Sequence, residues 1–264
     1  MRIVRRTALS TMGALGFVFA MGVTAAPAQA QATRTWVSGV GDDANPCSRT
    51  APCRTFAGAI SKTAAGGEIN CLDGGGFGAV TITKSITITC TGVEAGILVA
   101  GQNGVIVNAG VNDRVVLRGL DFEGLNTAPT TPGISGVRVV SARDVVIEDC
   151  DIRGFGTAGV TVDSGAVKAR VTVSNSRIVG NTLGIQVISA GGQGSAKVTG
   201  SFFANNTTAS IRVSGAGNSA AIDGNAFFGS PKALELLSGG TATTSGNNAF
   251  GTVASDPATL TPLG

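Results

Sequence analysis

Three ten-residue stretches decide the fold: VVLRGLDFEG at 115–124, VVIEDCDIRG at 145–154 and VTVSNSRIVG at 171–180. The series continues with AKVTGSFFAN from Ala196, AAIDGNAFFG from Ala220 and ATTSGNNAFG from Ala242, so successive starts lie 30, 26, 25, 24 and 22 residues apart. A second series falls between these blocks: GVRVV at Gly136, GVTVD at Gly159, GIQVI at Gly184, SIRVS at Ser210 and ALELL at Ala233. Each repeat therefore carries at least two short strands.

The first and third positions of a block are apolar in most repeats, as in Val145 and Ile147, while the second and fourth vary. That is the two-residue period of a strand with one buried face. Position five holds Gly119, Asp149, Asn175, Gly200, Gly224 and Gly246, residue types that tolerate a left-handed turn. Position eight points inward again, reading Phe122, Ile152, Ile178, Phe203, Phe227 and, in the last block, Ala249. Gly or Asn205 ends each block and marks a further corner. Short strands, no helical period between them and a repeat of about 25 residues predict an all-β, single-stranded parallel β-helix of about seven coils around one continuous core. The usual crossover preference makes it right-handed. The Leu and Asn framework of a leucine-rich repeat is missing, and a β-sandwich would not hold six blocks in register.

Residues 1–30 read as a signal peptide: Arg2, Arg5 and Arg6 precede an apolar run from about Leu9 to Ala25, and Ala28-Gln29-Ala30 offers a cleavage site. Arg5-Arg6 leaves export by the general or the twin-arginine route open. Removing this leader takes three of the 19 basic residues and none of the 16 acidic ones, so residues 31–264, a single β-helix domain, carry no net charge. A neutral domain gives no argument for nucleic acid or an anionic membrane as partner, and no later apolar run reaches the ~20 residues of a membrane span. Secretion or a periplasmic location follows from the leader, whereas the oligomeric state does not show in the sequence.

Five cysteines in an exported chain suggest disulfides with one thiol left over. Cys47 and Cys53 flank a short loop and Cys71 and Cys90 bracket the first coil, so Cys47–Cys53 and Cys71–Cys90 are the expected pairs. Cys150, at block position six beside Leu120 and Ser176 of neighbouring coils, is expected as a buried free thiol rather than a nucleophile.

The opening segment RTWVSGVGDDANPCSRTAPCRTFAGAISKTAAGGEINC at 34–71 resembles the N-terminal region of secreted right-handed β-helix proteins of the pectin-lyase-like superfamily. A candidate helix from about Thr55 to Ala64 places Phe56 and Ile60 on one face and is expected to cap the first coil, as terminal repeats require. Asp42, Asp43 and Asn45 have the oxygens for Ca²⁺, but adjacent acids beside Asn-Pro read better as a structural loop.

The chain contains no histidine, which excludes His-based triads, a His general base and His-ligated zinc. Carboxylate and arginine chemistry remain. Asp121, Asp151 and Arg177 share position seven of successive coils and Glu123 and Arg153 share position nine, both outward. With strands ~4.8 Å apart these five form one candidate patch. The loop from Leu125 to Ser135, with Pro129 and Pro132, emerges beside it; the resemblance implies that such a loop walls a polysaccharide groove. Asp121 and Asp151 are spaced for a retaining glycosidase pair, or for Ca²⁺ held against a uronate while an Arg abstracts a proton. Alternatively, Arg153 and Arg177 neutralise stacked acids, and this structural reading is the favoured one. Neither the N-T-D, D-D, G-H-G and R-I-K set of polygalacturonases nor a clear pectate-lyase arrangement is present.

A second outward stripe, Arg138, Thr161, Gln186, Arg212 and Glu235, offers hydrogen-bonding groups for a glycan or is a solvated face. Ser176, Ser201, Asn225 and Asn247 at position six are expected to form a hydrogen-bonded corner ladder. The sequence thus points to a non-catalytic module that binds polysaccharide or a cell surface, or serves a structural role, with no confident catalytic residue, no cofactor and no metal. The alternative is a polysaccharide lyase or glycoside hydrolase, for which alone Ca²⁺ would enter.

Overall fold

The computed structural model describes residues 31–125 and 131–251 and the backbone of 261–262, and its strands stack as three parallel sheets. The expected signal peptide and Pro129 of the inserted loop lie outside the described residues. One coil shows the plan. Asp144–Glu148 runs in the first sheet, Asp151–Arg153 in the second and Ala158–Val162 in the third. The chain then re-enters the first sheet as Ala169–Ser174, pairing Asp144 with Arg170. Three strands per coil, rather than the two evident in the pattern, build a parallel β-helix of about seven turns.

The corners follow from backbone chemistry. Position five turns in the left-handed region in every block, including at Asp149 (φ 54°) and Asn175 (φ 49°). A side chain there costs energy unless it is Gly, Asn or Asp, which is why only those types occur. The next corner is left-handed at Gly154, Gly180, Asn205 and Gly229.

Inward side chains stack in columns along the axis: Val115, Val145 and Val171 on the first sheet, and Phe122, Ile152, Ile178, Phe203 and Phe227 on the second, all essentially buried. The last coil departs from the expected register. Phe227 pairs with Phe250 rather than Ala249, their rings 5.3 Å apart, and Asn248 rather than Asn247 receives the Asn225 amide at 2.9 Å. One extra residue is accommodated at this corner because the aromatic column and the amide ladder each gain a stacked partner by it.

That ladder passes Cys150 N–H to Ser176 Oγ (3.2 Å), Ser176 N–H to Ser201 Oγ (3.2 Å) and Ser201 N–H to Asn225 Oδ1 (3.0 Å). A second ladder at the next corner runs through Asn181, Asn206 and Ser230. These side chains satisfy buried backbone donors that the bend removes from the sheets.

The capping helix spans Phe56–Lys62, shorter than expected from the sequence, with Thr55 as N-cap accepting the Gly58 amide at 2.9 Å. It ends at Thr63 because that residue is already extended and begins the strand Thr63–Cys71. Phe56 is buried and packs on Phe77 (5.1 Å between ring centroids), closing the first coil. Disulfides join Cys47 to Cys53 and Cys71 to Cys90, with Cα separations of 4.6 and 4.9 Å, and Cys150 is a free buried thiol.

Candidate functional site

The second sheet brings the five expected residues together. Asp121 pairs with Asp151 and Asp151 with Arg177, while Glu123 pairs with Arg153. Inward Phe122, Ile152 and Ile178 alternate with them, so burial of the apolar column forces the charges outward.

Arg153 dominates the geometry. It forms a two-pronged ion pair with Asp121, bonds Glu123 Oε2 at 2.8 Å and lies 3.6 Å from Asp151 Oδ1. Arg177 takes the other oxygen of Asp151 at 2.9 Å. The hydrogen bond to Asp121, followed by the charges of Asp121, Glu123 and Asp151, raises the Arg153 pKa above its already high ordinary value. The guanidinium is thereby held in its charged form among three carboxylates.

Two shallow grooves flank the patch and share Glu94 and Asp121. One, of about 450 Å³, is lined by Thr91, Glu94, Asp121, Asp149 and Asp151; the other, of about 390 Å³, by Gly74–Gly76, Leu98, Glu123 and Arg153. The described parts of the inserted loop, Leu125 and 131–135, are tied to the neighbouring coil: Leu125 N–H donates to Val99 O at 2.9 Å, Gly101 N–H donates to Thr131 O at 3.0 Å, and Pro132 bridges to Ala100. Of the expected wall, 126–130 lie outside the described residues.

Further along the same face the charges give way to aromatics. Phe202 pairs in register with Arg177, and Phe202 and Phe228 stack with centroids 5.9 Å apart while remaining 38% and 41% exposed. Sequence reasoning passed over both; the signal was available, since Phe-Phe at block positions seven to nine must turn one ring outward.

The second stripe is placed in register, one residue per coil. Its groups are largely occupied by one another. Arg138 pairs with Asp163 at 2.8 Å, Gln186 donates to Thr161 Oγ1 at 3.0 Å, and Glu235 holds Arg212 at 2.6 Å and Lys232. Thr161 and Gln186 are buried.

The N-terminal acids act as clips. Asp43 Oδ1 accepts the amides of Arg54 (2.8 Å) and Thr55 (2.9 Å), and Oδ2 the Thr55 hydroxyl (2.7 Å). Asp42 accepts the Ala44 amide, and Asn45 donates to Pro52 O. Burial alone would raise the Asp43 pKa, but the bonds from Thr55 and Arg54 and the nearby Lys62 charge together lower it. Lys62 donates to the backbone carbonyls of Asp43 and Asn45, so its ammonium takes up the oxygens a cation would use. Among the described residues no group of three Asp, Glu, Cys or His is arranged to hold a metal ion.

A family model described as "right handed beta helix region" matches residues 60–250. The chain belongs to the right-handed β-helix family. This β-helix protein is similar in structure to pectate lyase Pel9A, with a TM-score of 0.63 and 15% identity, covering 80% of this chain and 61% of that one. It is also similar to a rhamnogalacturonan lyase, with a TM-score of 0.50 and 12% identity, covering 80% of this chain and 66% of the other. The β-helix protein thus spans less than two thirds of either lyase. No curated protein matches its sequence. At such identities the likeness is one of fold.

Proposed function

We propose that this is an exported, non-catalytic β-helix that presents its second sheet to extracellular polysaccharide. The observation that carries this reading is Arg153, whose guanidinium is shared by Asp121, Glu123 and Asp151 and so occupies the acids a hydrolase or lyase would need. Support for glycan as the ligand comes from the exposed Phe202 and Phe228 next to Arg177, since aromatic faces beside charged hydrogen-bonding groups suit sugar rings. The two disulfides are consistent with an oxidising location, and no described helix is long and apolar enough to cross a membrane.

The test is a screen against pectate, alginate, glycosaminoglycans and neutral glycans, with and without Ca²⁺, reading both binding and product formation. Binding without turnover, weakened by Phe202→Ala, is expected. Unsaturated products or new reducing ends, lost in Asp151→Ala, would instead establish the lyase or hydrolase reading. One observation favours that alternative: Asp151 Oδ1, in the groove wall beside Asp121, is buried and makes no hydrogen bond, the Arg153 guanidinium standing 3.6 Å away.

A further inference from the structure

The corner joining the third sheet to the first carries a basic groove, separate from the acid patch on the second sheet. Its lining comes from the turns of three successive coils: Val111 and Asn112, then Arg143, then Ala166, Val167, Lys168 and Arg170, around about 460 Å³. No carboxylate is among these lining residues. Arg143 and Arg170 each give their Nε to Asp144, at 2.8 and 2.7 Å, one to each carboxylate oxygen. Their Nη groups have no partner among the described residues, and both side chains stay more than half exposed. Lys168 likewise makes no described side-chain bond. Arg114 adds a fourth cation, pairing in register with Asp144 from the other side. Two other acids at this corner are engaged elsewhere: Asp113 is tied to the Ser85 hydroxyl (2.6 Å) and the Gly110 amide (2.7 Å), and Asp163, which opens the turn before Ala166, is paired with Arg138 at 2.8 Å.

Asp144 is therefore a positioning residue: it holds two guanidiniums side by side by their inner nitrogens and leaves their outer pairs free. Paired N–H donors on a planar guanidinium match the two oxygens of a carboxylate or a sulfate ester. Exposed Val111, with Ala166 and Val167, supplies apolar surface for a ring face.

We propose that this groove binds an acidic glycan, its oxyanion taken by the Nη groups of Arg143 and Arg170 and by Lys168. The proposal rests on the glycan-binding reading above and assigns it a second site with a charge preference. Calorimetric titration of the full chain at low ionic strength with a sulfated oligosaccharide, an oligouronate and a neutral oligosaccharide of equal length tests it. At least one acidic ligand should bind ten-fold or more tighter than the neutral one, and the two acidic arms identify whether sulfate or carboxylate is preferred. Lys168→Gln combined with Arg170→Gln should weaken the acidic ligand at least ten-fold, whereas Arg34→Gln, on a distant coil and equal in charge loss to Lys168→Gln alone, should change it less than two-fold. Lys168→Gln alone, which breaks no described contact, should still weaken it about three-fold and covers the case in which the double variant fails to fold. Equal binding of acidic and neutral ligands, or variants that bind as the parent does, would overturn the groove while leaving the glycan reading intact. Tighter binding of duplex DNA than of either acidic glycan would also overturn it, and binding of no glycan at all would sink both proposals.

Discussion

Arg153 reaches back one coil to grip Asp121 with two nitrogens and, with one of these, also bonds Glu123 at 2.8 Å. One guanidinium thus holds together carboxylates that the strand register sets side by side. Arg153→Ala should cost about 1–2 kcal/mol, because it leaves Asp121 and Glu123 unpaired beside Asp151, which keeps Arg177, and the loss should shrink in 1 M salt. Arg177→Ala, at a more exposed pair, should cost at most about 1 kcal/mol. Urea denaturation at low and high salt measures both; equal, salt-independent losses would contradict the shared-network assignment.

The register of the final coil can be tested by neighbouring substitutions. Asn248 accepts the Asn225 amide and donates to Ile222 O, whereas Asn247 accepts only the exposed Gly224 amide and the Ser245 hydroxyl. Asn248→Ala should cost about 2 kcal/mol and Asn247→Ala less than about 1 kcal/mol, as expected for part-buried against exposed bonds. The reverse order in thermal unfolding would restore the register read from the blocks.

Asn181 is fully buried, accepting the Phe155 amide at 3.0 Å and donating to the carbonyls of Ile152 and Val179. Asn181→Ala removes all three partners and should destabilise by about 3 kcal/mol, among the largest losses for a polar side chain here. A loss below about 1 kcal/mol in chemical denaturation would show that water replaces the ladder.

Burial pushes the Cys150 thiol up to about 12, so almost no thiolate forms at neutral pH. A thiol reagent at pH 8 should leave the folded protein unmodified and label one cysteine per chain after unfolding. Peptide mapping should place that label on Cys150. In the chain-entropy model, losing Cys71–Cys90 should cost about 3 kcal/mol.

The Gly39 amide at 2.6 Å and the Ser38 hydroxyl hold Asp73 below its ordinary 3.8, and the Ser85 hydroxyl does the same for Asp113. A carboxylate depressed in the folded state stabilises above its unfolded pKa and loses that contribution as pH falls through the folded value. Unfolding free energy should therefore fall once pH drops below about 3.8, and Asp73→Asn should flatten this acid limb. An unchanged slope in a denaturant series from pH 2.5 to 7 would remove Asp73 from the account.

Much of the fold is legible in the chain because a solenoid repeats one local problem. Each coil buries the residues at alternate positions and bends where only Gly, Asn or Asp accept a left-handed backbone, so Val145, Ile147, Asp149 and Ile152 announce their places without their neighbours. Cysteine position and the charged rows at block positions seven and nine follow from the same register, as does the row of Arg138, Thr161, Gln186, Arg212 and Glu235, although Thr161 and Gln186 in it are buried rather than outward and open. What the chain by itself left open needed contacts between coils. Whether Asp121 and Asp151 form a working pair or a neutralised one depends on where the long side chain of Arg153 lies, and the strand period sets its direction but not its rotamer. The shift that puts Phe250 on Phe227 arises from stacking across coils, and the basic groove exists because three turns, 111–112, 143 and 166–170, meet at one corner. Periodicity records which face a residue takes; only packing in three dimensions decides which distant residue it meets there.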